Sequence, residues 1–409
     1  MSYPTLRLHP RKEESVLRFH PWIFSGAIAS FSAPVEDGDL VSVVDSKGRP
    51  LGTGHFGGGS IAVRLLSFDA EEVIDRAFYK RRLEAALRLR LSCDLVRPVG
   101  SSDSPNTTYR LVHGEGDSLP GLIIDIYDRT AVVQAHSLGM HQARQTIAEV
   151  LWEVFAEAGD PVLPLDGIYY KSETTLPTRD MRELASDGFL IGHTEAAPIY
   201  ENGVRFTPDW LKGQKTGFFI DQRDNRALVA HYAKGRTVLN AFCYTGGFSI
   251  YALHAGAKRV DSLDSSAKAM YLTEQHVALN FGADCPRHHS VTEDAFDYLE
   301  RMPEGEYDLI ILDPPAFAKH RKVLRNALIG YRKINSIAFK KVAPGGIVFT
   351  FSCSQAVSKE EFRLAVFTAA AASGRKVRIL HQLTQPVDHP INIYHPEGEY
   401  LKGLVLYVE

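Results

Sequence analysis

The sequence predicts an α/β protein in which a small β-rich domain and a small α+β domain precede a doubly wound, mainly parallel sheet. Three observations support this fold class. Apolar runs at 237–241, 260–264, 307–312 and 346–352 alternate with helical segments, which is the pattern of parallel βαβ units. The first seventy or so residues instead carry short β-branched runs and a glycine cluster. A length of 409 residues predicts two to three domains at roughly 150 residues each.

The elements group into three predicted domains. Residues 1–72 form the β-rich domain, with strands at 41–45 and 61–66. Residues 73–194 form the α+β domain, which contains a helix over 71–91, strands at 122–126 and 131–135, a helix at about 141–158 and strands at 166–171 and 189–191. Residues 195–409 form the third domain, whose last strands, 377–384 and 401–408, close the sheet as an antiparallel edge.

Composition and charge restrict the class of protein. Hydrophobic residues make up 44% of the chain and charged residues 23%, which excludes a disordered chain, a collagen and a coiled coil. With 46 basic and 49 acidic residues, binding to nucleic acid would need local basic patches. The four cysteines have no CxxC spacing, and the N-terminus has no apolar signal region. We therefore expect a cytoplasmic protein without a membrane segment.

The helix over 71–91 carries many basic side chains on the faces beside its apolar stripe. They are Arg76, Lys80, Arg81, Arg82, Arg88 and Arg90. Two interpretations are equally compatible with this charge: a solvated helix face, or a surface that contacts nucleic-acid phosphates.

A glycine-containing loop follows the first strand of the third domain and indicates a nucleotide-like ligand. The strand at 237–241 leads into Phe242–Gly247, and a helix begins near Phe248, so backbone N–H groups can approach a ligand. Asp264 ends the next strand, where a carboxylate can bind a ribose diol. The GxGxxG fingerprint of dinucleotide-binding enzymes is missing, which disfavours an NAD oxidoreductase. The alternative is an ordinary turn with a surface aspartate.

Two further acids follow strand ends. Asp294 follows a predicted strand near 289–292, and Asp313 begins the segment Asp313-Pro314-Pro315-Ala316-Phe317. The two prolines fix the path of the chain as it leaves the strand. Such a stiff turn can hold a flat ring against the aromatic Phe317, although it can equally be a rigid turn without a ligand.

These motifs together resemble the class I S-adenosylmethionine-dependent methyltransferases, and within them the bacterial 23S rRNA 5-methylcytosine methyltransferases that carry an N-terminal PUA domain. The motifs of the third domain are NAFCYTGGFS, LDSS, LDPPAFAK and FSCSQ. RFHPWIFSGAI at 18–28 is similar to the PUA signature, RLVHGEGDSLPGLIIDIYD at 110–128 to the central domain, and ENGVRF with GQKTGFFIDQR at 201–223 to the segment before the cofactor loop. The resemblance covers nearly the whole chain.

The resemblance implies S-adenosylmethionine as cofactor and assigns residues to it. Gln214, Lys215, Phe219 and Arg223 would hold the methionine end, Asp264 the ribose, and Asp294 would lie near the adenine. The further cofactor-binding candidates are Asn240, Phe242, Tyr244, Gly246, Gly247 and Asp313. The implied partner is 23S rRNA, free or in a large-subunit precursor, and a homodimer is left open. Pro314, Pro315, Phe317, Lys319, Arg321 and Lys322 are the candidates for substrate binding.

Cys353, at the end of the strand 346–352, is the candidate nucleophile. Carbon 5 of cytosine is a poor nucleophile, and a thiolate that adds at carbon 6 activates it. The resemblance assigns this role to Cys353, while alternation with Phe349 and Phe351 alone would make it a buried hydrophobic residue. Lys319, His320, Arg321 and Lys322 could stabilise the thiolate or bind RNA phosphates. Asp313 is the candidate that hydrogen-bonds the cytosine edge, and no sequence feature identifies the base that removes the carbon 5 proton.

The remaining cysteines and histidines give weaker signals. Cys243 is predicted to pack beside the cofactor, and Cys93 and Cys285 have no chemical partner nearby in sequence. The histidines at 288, 289, 381, 389 and 395 lack ligand spacing, so the sequence predicts no metal. Two rival functions stay open: a guanine-N7 methyltransferase, which needs no thiol, and a catalytically silent RNA-binding assembly factor.

Overall fold

The computed structural model describes residues 3–177, 186–318 and 320–409 and divides the chain into two compact units. The first unit contains Met1–Gly203, Thr207–Ile220 and Val387–Gly398. The second contains Val204–Phe206, Asp221–Pro386 and Glu399–Glu409. Three segments of the predicted third domain, 195–203, 207–220 and 387–398, thus belong to the first unit. The three predicted domain ranges stay a prediction.

A six-stranded sheet forms the N-terminal part of the first unit. Its strands are β1 (Thr5–Leu8), β2 (Trp22–Phe24), β3 (Ile28–Phe31), β4 (Leu40–Val44), β5 (Pro50–Phe56) and β6 (Ile61–Ser67), and the short helix α1 spans Glu14–Leu17. The strand order is β2-β6-β5-β4-β1-β3. Alternate residues of these strands, among them Leu6, Leu8, Val41 and Val43, point into a small core, as expected of a sheet with one buried face.

A five-stranded sheet with helices on it forms the rest of the first unit. Its strands are β7 (Thr108–His113), β8 (Leu122–Tyr127), β9 (Thr130–Ala135), β10 (Gly167–Tyr170) and β11 (Gly188–Gly192); the helices are α2 (Arg76–Ser92), α3 (Leu138–Gln142) and α4 (Arg144–Glu157), and β12 spans Ile199–Glu201. Helix α2 begins five residues later than predicted, because the Asp75 side chain accepts a hydrogen bond from Phe78 N and caps the helix there. The helix predicted at 141–158 is two helices, α3 and α4.

The basic side chains of α2 are engaged within the unit. Arg76 and Lys80 pair with acids of α4, Arg81 and Arg82 with Glu72, and Arg88 with Glu84. Arg90 is fully buried and forms two hydrogen bonds with Asp117. All six therefore have an acidic partner, and Arg90 lies in the interior, which disfavours the interpretation of this helix as a phosphate-contacting surface.

The second unit is a doubly wound α/β sandwich. Its strands are β13 (Val204–Phe206), β14 (Thr237–Ala241), β15 (Arg259–Asp264), β16 (His288–Thr292), β17 (Leu309–Leu312), β18 (Gly346–Ser352), β19 (Val377–Leu383) and β20 (Lys402–Val408). Its helices are α5 (Arg223–Ala233), α6 (Gly247–His254), α7 (Ala267–Phe281), α8 (Ala295–Arg301), α9 (Leu324–Lys341) and α10 (Lys359–Ser373). The seven-stranded sheet has the order β16-β15-β14-β17-β18-β20-β19, and the predicted fold class is confirmed.

The register of this sheet places the candidate residues at one edge. Strands β14 to β18 are parallel, and β20 and β19 add the predicted antiparallel pair. Every residue of β17 and β18 is buried, as is typical of parallel strands covered on both faces. The strand order reverses between β14 and β17, and ligands of such sheets bind at the carboxyl ends beside this reversal. Among the described residues, every helix is too short or too polar to span a lipid bilayer.

Candidate functional site

The loop after β14 has a backbone that only certain residues can adopt. Phe242, Tyr244 and Gly246 all have positive φ, at 59°, 49° and 78°. A Cβ atom at Gly246 would lie 2.6 Å from the Thr273 Cγ2 atom, so only glycine fits there. The loop carbonyls are held from behind, because Thr273 Oγ1 donates to Tyr244 O at 3.0 Å and the His276 ring contacts Thr245 O at 2.8 Å. The loop is therefore a fixed cradle at the carboxyl end of β14.

Asp264 and Asp294 flank this cradle on the neighbouring strands. Asp264 ends β15, and its two carboxylate oxygens accept hydrogen bonds from Tyr244 N at 3.0 Å and Ser266 N at 2.9 Å. Asp294 follows β16 and caps α8, where it accepts from Phe296 N at 2.8 Å. Each carboxylate oxygen can accept a second hydrogen bond. Because β15 and β16 are parallel neighbours, both acids lie at the same edge of the sheet.

Asn240 and Cys243 are buried beneath the loop that follows β14. The Asn240 side chain donates to Ser249 Oγ at 2.9 Å, and Ser249 in turn contacts Ser262. Asn240 thus joins β14 to α6 and β15 in the interior, and its role toward the cofactor stays a prediction. Burial, and then the charge of Asp264, raise the pKa of the Cys243 thiol. A neutral, buried thiol is a packing residue and not a nucleophile.

The segment expected at the methionine end of the cofactor is divided between the two units. Gln214, Lys215 and Phe219 belong to the first unit, where the Lys215 ammonium lies 4.3 Å from the centre of the Phe219 ring. Arg223 belongs to the second unit, begins α5 and is 1% exposed. The assignment of these four residues to the cofactor stays a prediction.

The Asp313 carboxylate is oriented by a pair of amide side chains that the sequence analysis did not select. Gln222 Nε2 donates to Asp313 Oδ2 at 3.0 Å, and Asn225 Nδ2 donates to Gln222 Oε1 at 2.6 Å. Gln222 and Asn225 are nearly fully buried, so their side-chain rotamers are fixed by packing. Gln222 belongs to the motif GQKTGFFIDQR, and this motif could have identified it as a site residue from the sequence.

The Asp-Pro-Pro turn leads into a group of aromatic rings. Pro314 is buried and Pro315 is exposed. The Phe317 ring lies 6.2 Å from the Phe296 ring and 4.7 Å from the Tyr331 ring. Burial, and then the charges of Cys353 and Asp313, raise the pKa of Tyr331 to about 12. Tyr331 therefore stands as a neutral phenol close to both candidates for the reaction.

Cys353 follows β18 directly and is partly exposed. β18 is paired with β17, with Leu312 opposite Thr350, so Cys353 leaves the sheet at the same edge as the Asp-Pro-Pro turn. The next residue ties the two turns together, because Ser354 Oγ donates to Ala318 O at 2.6 Å. The thiol is thus not hidden in the sheet, and the interpretation of Cys353 as a buried hydrophobic residue is disfavoured.

Lys402 is the charged neighbour of this turn, and sequence reasoning missed it. It begins β20 directly opposite Ser352, and its Nζ atom donates to Ser354 O and Val357 O at 2.6 Å each. The side chain is buried, and this burial lowers the pKa of Lys402 to about 8, while the charge of a Cys353 thiolate raises it. A buried ammonium beside a thiol favours the thiolate.

The basic segment after the turn lies on the surface. His320, Arg321 and Lys322 are exposed, and Arg321 Nη2 contacts the Glu361 carboxylate at 3.3 Å. Lys319 lies outside the described residues. Exposed cations stabilise a nearby thiolate weakly because water screens them, so Lys402 is better placed for that task. The exposed residues remain candidates for phosphate contacts.

The residues at this edge of the sheet have two chemical features. A cradle restricted to glycine at 246 and a carboxylate held by two backbone N–H groups fit a ligand that carries a ribose diol. A partly exposed thiol next to a buried ammonium fits nucleophilic addition to an electron-poor ring.

Comparison with known proteins agrees with the fold and with S-adenosylmethionine as the cofactor. A family model described as S-adenosylmethionine-dependent methyltransferase matches residues 178–394, and a PUA-like domain model matches residues 6–68. Ribosomal RNA large subunit methyltransferase I of Shewanella denitrificans is 40% identical over 407 residues, 98% of each chain. The protein of that name from Aeromonas salmonicida is 40% identical over 401 residues, 97% of each chain.

Solved structures share the architecture over the full length. A Streptococcus mutans protein described among the SAM-dependent methyltransferases superposes with a TM-score of 0.81 at 22% identity, and 100% of both chains is covered. A methyltransferase structure described as complexed with SAH has a TM-score of 0.82 at 23% identity, again over 100% of both chains. At this identity the likeness shows the fold alone.

Proposed function

This chain belongs to the family of S-adenosylmethionine-dependent methyltransferases with a PUA-like domain whose curated members are named ribosomal RNA large subunit methyltransferase I, and from this premise we propose that it methylates carbon 5 of a cytosine in 23S rRNA. The observation that carries the cytosine assignment is the partly exposed Cys353 thiol, which follows β18 beside the Asp-Pro-Pro turn and the buried Lys402 ammonium. The cofactor is S-adenosylmethionine.

The cofactor would be held at the edge formed by β14, β15 and β16. Asp264 would bind the ribose hydroxyls, because its position is fixed by Tyr244 N and Ser266 N. The backbone of Tyr244, Gly246 and Gly247 would line the cradle, and Asp294 would lie near the adenine. When bound, S-adenosylmethionine supplies an electrophilic methyl group on a sulfonium centre.

Cys353 would make carbon 5 nucleophilic. Its thiolate adds to carbon 6 of the cytosine, a sulfur–carbon bond forms, and the electron pair of the carbon 5–carbon 6 double bond becomes available at carbon 5. After carbon 5 has gained the methyl group, a base removes the proton of carbon 5. The electron pair of that C–H bond restores the double bond, the sulfur–carbon bond breaks, and the Cys353 thiolate is regenerated.

Asp313 would orient the cytosine and favour attack at carbon 6. Gln222 donates to Oδ2 of this carboxylate at 3.0 Å, and Asn225 fixes Gln222 from behind. A carboxylate held in this way can accept a hydrogen bond from an exocyclic amino group. Pro314 and Pro315 hold the turn rigid, and Phe317 would supply an apolar surface for the flat ring.

The RNA substrate has to present an unstacked base. Carbons 5 and 6 of a cytosine inside a helix are covered by its neighbours, so the nucleotide is turned out of the stack into the site. The PUA-like domain at 6–68 would dock the RNA, and Arg321 and Lys322 would contact phosphates. Because the net charge of the chain is −3, we expect affinity to depend on such local patches and to fall with salt.

Mapping of methylated nucleotides tests the proposed reaction. In cells that lack the gene, we expect 23S rRNA to lose one 5-methylcytidine, because the route through a Cys353 thiolate acts on a pyrimidine that needs nucleophilic activation. Mass spectrometry of nuclease fragments from cells with and without the gene measures this, and plasmid-borne wild-type protein is the control that restores the modification. Loss of a 7-methylguanosine instead would contradict the cytosine assignment and support the rival enzyme.

Asp264→Asn should weaken cofactor binding. We expect about a tenfold or larger loss of S-adenosylmethionine affinity, because the amide replaces one acceptor oxygen by a donor and removes the charge that ribose hydroxyls favour. Calorimetric titration measures the change. Asp284→Asn, at an exposed acid of the same unit, is the matched control. Absence of binding by the wild-type chain would favour the silent assembly factor.

A further inference from the structure

Three ligand-type side chains that are not part of the candidate site described above meet in the first unit. His20 lies in the segment just before β2, and His395 and Glu397 lie in the segment 387–398 that belongs to the same unit. The Glu397 Oε2 atom is 3.4 Å from His20 Nε2 and 3.7 Å from His395 Nε2. One ligand atom from each of the three residues lies within 4.8 Å of the other two.

The His395 ring is buried without a hydrogen bond to either nitrogen among the described residues. The residue is 2% exposed, and within the described part of the chain neither of its ring nitrogens has a hydrogen-bond partner. A neutral imidazole keeps a lone pair on one of its nitrogens. A buried polar group left unsatisfied is costly and calls for a partner.

The surroundings hold the ring in place without satisfying it. The Trp22 ring centre lies 4.2 Å from the His395 ring centre. Trp22 Nε1 donates to Glu115 Oε1 at 2.8 Å, which fixes the indole. Aromatic packing alone accounts for the position of the His395 ring, but it supplies no partner for the ring nitrogens.

His20 can present Nε2 as a ligand. Trp22 N donates to His20 Nδ1 at 3.2 Å, and Nδ1 lies 3.3 Å from Trp22 O. Metal binding at Nε2 requires the tautomer that carries the proton on Nδ1, in which this N–H donates to Trp22 O in place of the bond from Trp22 N. A backbone carbonyl in this position is the usual outer partner of a histidine that binds metal.

We propose that His20 Nε2, His395 Nε2 and Glu397 Oε2 bind a zinc ion. Zinc–nitrogen and zinc–oxygen bonds of about 2.0–2.1 Å at a tetrahedral angle place two ligand atoms about 3.3 Å apart. The observed separations of 3.4 and 3.7 Å are close to this value. Two imidazoles and one carboxylate are a common zinc donor set, and the fourth position would hold water.

Zinc at this position would attach the segment 387–398 to the β-rich part of the first unit. The sequence predicts no metal because the ligands have no local spacing, and His20 and Glu397 are 377 positions apart. The inference does not depend on the methylation reaction.

Zinc binding by the full-length chain tests the proposal. After dialysis against chelator, we expect one equivalent of Zn²⁺ to bind in competition with a chelating dye, and the melting temperature to rise. Co²⁺ in the same place should give the visible absorption of a tetrahedral site. His395→Gln and Glu397→Gln should each lower zinc affinity by at least about tenfold. Substitution of a residue that only hydrogen-bonds to a metal ligand already causes a loss of this size.

The control variant is His9→Gln, at an exposed histidine of the same unit, which should leave binding unchanged. Glu397 is 46% exposed, so its glutamine variant folds, and circular dichroism confirms this. The proposal is overturned if the wild-type chain binds no stoichiometric zinc, if both variants bind it as tightly as the wild type, or if His9→Gln lowers the affinity equally.

Discussion

Cys353→Ala is expected to reduce methyl transfer to 23S rRNA by at least about a thousandfold, because the substitution removes the group that makes carbon 5 nucleophilic. The thiol lies in a partly exposed turn after β18, so loss of the Sγ atom leaves the sheet intact. We therefore expect cofactor affinity and thermal stability to stay near their wild-type values. Single-turnover transfer of a labelled methyl group to an rRNA fragment measures the rate.

Cys285→Ala is the matched control, since Cys285 is another partly exposed cysteine of the same unit, and it should keep full activity. RNA with 5-fluorocytidine provides a second readout. Fluorine cannot leave as a proton does, so the sulfur–carbon bond formed by the wild-type enzyme persists, and a protein–RNA adduct should survive denaturation. Substantial turnover by Cys353→Ala, without any adduct, would exclude the covalent mechanism and favour a target atom that is already nucleophilic.

The sequence predicted the second unit better than the first. Strands at 237–241 and 346–352 are observed with the predicted bounds, because parallel strands buried on both faces appear as continuous apolar runs. Local capping explains the later start of α2, where Asp75 binds Phe78 N. Which segments belong to which unit is decided by long-range packing, and no local pattern indicated that 207–220 and 387–398 join the first unit.

The candidate site was predictable where chemistry follows a strand end. Asp264, Asp294, Asp313 and Cys353 lie at the ends of parallel strands or within two residues of them, and the parallel register brings those ends to one edge. Lys402 could not be found in this way, because it lies at the start of an antiparallel strand. Lys402 is placed beside the end of β18 by the pairing of β20 with β18. The sequence predicted β20 only as part of an antiparallel edge and did not indicate this register.

The geometry around Lys402 would favour the thiolate form of the partly exposed Cys353 near neutral pH. The ammonium is fixed by two carbonyl oxygens of the turn that follows Cys353, at 2.6 Å each, so its charge stays in place during the reaction. Its lowered pKa of about 8 means that the charge is present below pH 8 and is lost above it. Exposed Arg321, by contrast, is paired with Glu361 and screened by water.

Lys402→Met should lower the rate of methyl transfer by about ten- to a hundredfold, because the uncharged side chain no longer favours the Cys353 thiolate. Iodoacetamide alkylation of Cys353 should reach its half-maximal rate at a higher pH in this variant. Lys402→Arg keeps the charge and should therefore restore most of the wild-type pH profile of alkylation. If Lys402 had only a structural role, the charge of the side chain would not affect this profile. Lys376→Met, at an exposed lysine of the same unit, is the control and should change neither measurement.

The pH dependence of the free energy of unfolding provides an independent check on the lowered pKa of Lys402. The pKa of Lys402 in the folded chain, about 8, lies below its ordinary value of 10.5, so the unfolded chain binds more protons between these two values. The free energy of unfolding of the wild type should therefore rise with pH from about 8 to 10.5 relative to Lys402→Met. Urea titrations of both proteins across this range measure the difference. A flat difference, together with an unchanged alkylation profile, would mean that Lys402 only supports the turn and that another group stabilises the thiolate.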